Sequence, residues 1–173
     1  MNNSISKVVS IIIAVILMVM ITYDMFWIID RMVYNQVNVI NNRFQKEVRT
    51  RGYIDREMYD SFMRELTNTG RIYDVEMLHR SIKYYPLSED LKEYTPEKPY
   101  SIEYFKHNEN EILNEIYNKD KRYLMRIGDD FTVTVRDKGT RGSRVLWNVM
   151  GGTKENNTLI FSTYGGMVEN EIN

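Results

Sequence analysis

The chain has 173 residues, of which 43% are hydrophobic and 12% aromatic; its formal charge is -1 and it has no cysteine. The missing cysteines exclude a disulfide scaffold, a thiolate metal site and a cysteine nucleophile. The near-neutral charge argues against nucleic acid as a partner, because phosphate backbones select a basic face.

Residues 1–7 form a short tail with Lys7 as its cation, expected to be cytoplasmic. Residues 8–29 read VVSIIIAVILMVMITYDMFWII, with no charge, Pro or Gly before Asp24. A helix needs roughly 20 predominantly apolar residues to cross about 30 Å of hydrocarbon, so this run is expected to span a membrane. Tyr23, Phe26 and Trp27 make an aromatic belt at one end, and the predicted interfacial anchors are Lys7, Tyr23, Trp27 and Arg31. Lys7 and the terminal amine favour an inside N-terminus and an extracytoplasmic remainder. A cleaved secretory signal is the alternative. The length of the run and the poor site at residues 21–24 favour an uncleaved signal-anchor. Asp24 either reaches headgroups and water, or pairs with Lys7 or the amine of a neighbouring subunit.

Residues 30–51 continue in helical register. Val33, Val37, Ile40, Phe44 and Val48 recur at steps of three and four among polar neighbours, which is an amphipathic stripe. It either packs on the chain's own head or faces other subunits. With Asp24, these five residues are the predicted subunit or partner contacts. Arg49 and Arg51 suit the negative end of a helix and Gly52 suits a C′ position. From Lys7 to Arg51 the helix would measure about 65 Å.

The head, 52–173, reads as α+β. Asp55 is placed to cap a helix carrying Met58, Phe62 and Leu66 on one face and ending by Gly70. Alternation of Tyr73, Val75 and Met77 with Asp74, Glu76 and Leu78 predicts a strand, which Ile82 to Tyr85 can prolong. Pro86, Pro96 and Pro99 frame a charged loop. A second short helix is expected from Asn108, whose spacing to Glu111 fits a capping box. It would bury Ile112, Leu113 and Ile116, with 101–105 as an earlier turn. Then β structure is expected: a hairpin of 122–127 and 131–136 around Gly128-Asp129-Asp130, a strand at 145–150 closed by Gly151-Gly152, and a strand at 158–164 before Gly165-Gly166.

Candidate chemistry is thin. His79 and His107 sit in no nucleophile or H-E-x-x-H pattern, and strand alternation puts Asp74 and Glu76 on the face opposite His79. Asp129-Asp130 is too few acids for a calcium loop. The paired glycines lack the strand–loop–helix setting of a phosphate cradle, and Asn156-Asn157-Thr158 is a bare glycosylation sequon. No catalytic residue, metal ligand, cofactor or small-molecule substrate is therefore expected.

An apolar helix continuing as an amphipathic stalk into a small α+β head resembles the pilin layout. The stretch NNRFQKEVRTRGYIDREMYDSFMREL, with Arg49, Gly52 and Tyr53 at its turn, resembles the region behind the membrane helix in TadE-like minor pilins and related Firmicute pilin-like proteins. The likeness covers about the first 70 residues, with a similar closing Gly165-Gly166-Met167-Val168. It departs from prepilins in that no Gly precedes Gly52 and no Glu precedes Glu47. It implies a bacterial single-span subunit of a pilus or secretion apparatus, whose partners are the lipid bilayer and other pilin-like or secretion proteins or itself. The alternative is an accessory scaffold or binding module of a conjugation or secretion machine that does not enter a filament.

Overall fold

A computed structural model describes residues 2–87, 100–119, 121–139, 142–149, 151 and 160–170. One helix, α1 (Asn2–Arg51), runs from the N-terminus into the head without a break. Nothing in its sequence would stop it, since it has neither Pro nor Gly. At 1.5 Å per residue it is about 75 Å long. It ends where Gly52 adopts φ 72° and donates its N–H to Val48 O at 2.8 Å, the left-handed cap that glycine enters without a Cβ penalty. Gly52→Ala should therefore lower stability by about 1–2 kcal/mol, measured as a fall in Tm of the detergent-solubilised protein.

The head is α+β. After β1 (Tyr53–Ile54), helix α2 (Arg56–Thr67) is capped by Asp55, whose side chain accepts from Met58 N at 2.9 Å; Met58, Tyr59, Phe62 and Leu66 are buried. Next come β2 (Tyr73–Pro86), β3 (Tyr100–Asn108), α3 (Glu109–Leu113) with a π-helical turn at Asn114–Asn118, and β4 (Tyr123–Leu124). The chain closes with β5 (Asp130–Asp137), α4 (Gly142–Val149) and β6 (Ile160–Met167). The strands β3-β2-β5-β6 form an antiparallel sheet, and β1 pairs with β4 in a separate ribbon.

The amphipathic stripe of α1 is the centre of the core. Val37, Ile40, Phe44 and Val48 are all buried, with Val33 packed partly against them. Phe44 stacks on Phe62 of α2, ring centroids 4.2 Å apart, and α1 also lies against β5 and β6. Phe131, Val133 and Val135 supply the sheet side, each wholly buried. The chain's own α2 and sheet thus cover Val37, Ile40, Phe44 and Val48, and Val33 in part. Asn41 reinforces the join, donating from Nδ2 to Ser162 Oγ at 2.9 Å and, at longer range, to the Val133 and Ser162 carbonyls.

Five local expectations are corrected. Residues 101–105 are strand, not a helical turn, because β2 runs on beyond its pairing with β5 and β3 supplies the partner there. The 122–127 and 131–136 arms do not pair with each other: β4 joins β1, while β5 lies between β2 and β6. Asn108 starts a helix with no side-chain cap bond, and the Glu111 carboxylate that would complete a capping box is held by His107. Residues 142–149 are a helix rather than a strand, packed on α1. Gly165 and Gly166 lie inside β6 rather than after it. A Cβ on Gly165 would come 2.6 Å from Thr132 Oγ1, and one on Gly166 2.9 Å from Arg49 Cζ. These glycines serve close approach, not reversal. Most of the proline-framed loop, Gly152 and the sequon at 156–158 lie outside the described residues.

Candidate functional site

Three features of the molecule could carry function: the bare half of α1, the clamp that ties it to the head, and a histidine cluster on the sheet.

The first half of α1 contains a run long and apolar enough to cross a membrane by length and composition. Most of its large apolar side chains, among them Ile5, Ile11, Leu17, Met18, Ile21 and Met25, are about half exposed or more, while Val19 and Phe26 are less so. Lys7 and Asp24 are exposed along this half, and Tyr23 is half-buried. The Arg31 guanidinium lies over the Trp27 ring, 5.4 Å from its centroid. This cation–π contact keeps the arginine beside the aromatic end of the run. Among the predicted contact residues, then, Asp24 remains on the surface while Val37, Ile40, Phe44 and Val48 do not.

The clamp centres on Asp30, just beyond the apolar run. Asp30 accepts from Arg71 and from Ser143 of α4. Arg71 also donates to Asp137 Oδ2 at 3.0 Å. The three charged side chains are 13%, 14% and 1% exposed for Arg71, Asp30 and Asp137. Asp137 further accepts from Gly139 N at 2.8 Å. A signal for this was present: Asp30 lies on the helical face of Val33 and Val37, so an acid there must be buried and paired. At the far end, Arg49 is held by Met167 O at 2.6 Å and Glu169 at 2.5 Å, and Glu169 N donates to Arg49 O. The final turn of α1 thus has its charge and one of its terminal carbonyls satisfied by the end of β6.

The histidines, distant in sequence, are brought face to face because β2 and β3 register His79 opposite His107. Their rings stack at 5.3 Å with an interplanar angle of 22°. His79 is buried; its Nε2 is 3.0 Å from Asp129 Oδ2 and its Nδ1 is 2.7 Å from Tyr123 Oη. A carboxylate only accepts, so Nε2 carries the proton and Nδ1 accepts from the tyrosine. His107 repeats the order, with Ser81 Oγ at 3.3 Å from Nε2 and Glu111 at 2.8 Å from Nδ1. The cluster borders an open hollow of about 480 Å³ with Asn114, Glu115 and Arg126.

Hydroxyl, imidazole and carboxylate in series is the order of a nucleophile with its base. Around Ser81, however, the next backbone N–H is engaged: Ile82 N donates to Asp129 Oδ1. Asp129 also accepts from Arg126 N at 2.9 Å, so this carboxylate closes the turn before β5 and braces β2. Asp74 and Glu76 lie apart from the cluster, paired with Lys138 and Arg136. Among the described residues no group of acids and histidines is arranged to hold a metal ion.

Burial pushes the His79 pKa below its ordinary value, against the opposing pull of Asp129, while the neighbouring His107 adds to the lowering. Burial first, and then Glu111 and Asp129, push the Tyr123 hydroxyl up, so it stays a donor. The folded state thus holds His79 neutral. Its stability contribution is complete above the unfolded-state value of about 6.5 and is lost as pH falls toward the lower folded value. Thermal unfolding across that window should show a declining Tm, and His79→Gln should flatten the decline relative to the parent chain.

No family model, curated protein or solved structure matches the chain.

Proposed function

We propose that the chain is a single-span, membrane-anchored structural or assembly subunit of a bacterial pilus or secretion apparatus, with its N-terminus inside and its head outside. The observation that carries this reading is the double use of α1. One half is a bare apolar rod, and the other is the central element of a folded head. An ordinary tethered domain needs only a flexible linker between anchor and fold. Here the two are rigidly continuous, so a force or displacement on the apolar half is transmitted to the head. That is what a subunit packed through its N-terminal helix requires, and it is the layout that the pilin resemblance implies. Because the Val33–Val48 stripe is used within the chain, subunit packing falls to the exposed apolar half and Asp24.

Fractionation of cells expressing a tagged chain into membrane and sheared surface material, with intact mass of each pool, tests this. Protein in the sheared fraction supports a filament subunit. Full-length protein confined to membranes removes the filament role and leaves an accessory scaffold. Protein in the soluble fraction alone would overturn the membrane anchor.

A further inference from the structure

Helix α4 starts at an unexpected height. Gly142 lies against the ring of Phe26, so closely that a Cβ there would come 2.5 Å from Phe26 Cδ1. Ser143 donates to Asp30 one turn further along α1. Phe26 is three residues before Ile29, or about 5 Å along the axis. The beginning of α4 is therefore level with the last turn of the apolar run, at the edge of the sheet where Arg71 joins Asp137 of β5 to Asp30. Two of the apolar side chains of α4 are exposed, Val145 at 47% and Val149 at 78%, while Leu146 is half-buried. Ile72, 70% exposed, follows Arg71, which is bound to the same Asp30. Beside them, α1 exposes Met25, Ile28 and Ile29.

We infer that α4 lies in the headgroup–acyl boundary of the membrane that α1 spans, with Val145, Val149 and Ile72 as lipid-facing side chains. This rests on the single-span reading above. What selects lipid over a protein partner is continuity. The helix that carries Val145 and Val149 begins against Phe26, and Ile72 follows the arginine bound to Asp30, so these side chains adjoin an apolar surface that the span reading places in hydrocarbon. Short helices with one apolar face partition into this layer, where burying aliphatic side chains is favourable. The head thereby gains a second membrane contact away from the helix axis. Together with the Asp30 clamp, it fixes the tilt of the sheet relative to the bilayer.

The cysteine-free sequence permits single-site labelling of the full-length protein. Nitroxide would be placed at Val149→Cys, Val145→Cys, Met18→Cys and Tyr104→Cys, all exposed positions, in phosphatidylcholine–phosphatidylglycerol vesicles. Collision with oxygen and with a water-soluble nickel chelate is read by electron paramagnetic resonance. The expected result is an oxygen-to-nickel ratio at Val149 and Val145 several-fold above that at Tyr104 and below that at Met18. A Val149 label as open to nickel as the Tyr104 label, with Met18 in lipid, overturns the inference and leaves the span intact. Protection of Val149 from both reagents also overturns it, because protein then covers α4. A Met18 label reading as water removes the span and the inference together.

Discussion

Truncating Phe44 to alanine should remove about 3–5 kcal/mol of stability, the usual loss for a buried phenylalanine. The side chain is 4% exposed and stacks on Phe62 at 4.2 Å. It therefore joins α1 to α2 as well as filling the core. Whole domains are stable by only about 5–15 kcal/mol, so the variant should unfold at a visibly lower temperature or denaturant concentration. Near-ultraviolet circular dichroism of the detergent-solubilised full chain would follow it. Met18→Ala is the control, because Met18 is 71% exposed and touches none of the core residues. A parent-like transition for Phe44→Ala would mean that the stalk half of α1 is not part of the head's core.

The second large effect is expected at Arg71. Replacing it with methionine keeps much of the apolar stem but leaves Asp30 and Asp137 without their shared guanidinium. Removing one member of a buried charge network typically costs about 3–5 kcal/mol, because the remaining charges are stranded in a poorly solvated site. Asp137, with its side chain 1% exposed, has no easy route to water. Asp30→Asn in the Arg71→Met background should recover part of the loss. A double-mutant cycle measured by denaturant unfolding would report that coupling directly. Strictly additive losses would show that the two side chains do not interact. Since Asp30 also receives Ser143, loss of Arg71 should loosen α4 against α1 as well. That would appear as faster amide exchange in α4 than in β5.

How much of this could be read in advance depended on the range of the interaction responsible. The C-terminal end of α1 was legible because it is local, whereas the expected tail at 1–7 is helical from Asn2. Apolar continuity, the absence of Pro and Gly, terminal arginines and Gly52 act within a few residues of one another. The same holds for Asp55 capping α2, and for β2 and β5, where alternation marks the buried face. The misreadings share an opposite cause. The short β4 and helix α4 take their form from what they touch, β1 in one case and α1 in the other. Gly165-Gly166 looked like a turn pair because a glycine's role in close approach depends on neighbours, here Thr132 and Arg49, that are remote in sequence.

The candidate sites divide along the same line. The bare apolar span and its aromatic end could be recognised from composition alone. His79 and His107, 28 positions apart, acquired a common hydrogen-bonded cluster only through the β2–β3 register, and Asp129 entered it through the turn before β5. The sequence by itself determined that there is a long helix, that its first half is apolar on every side, and that its second half has one apolar face. Those properties follow from side-chain chemistry at helical spacing. Only the tertiary structure decided where that face goes. The choice between covering it with the chain's own head and offering it to a partner depends on shape complementarity with α2 and the sheet, which no local pattern encodes.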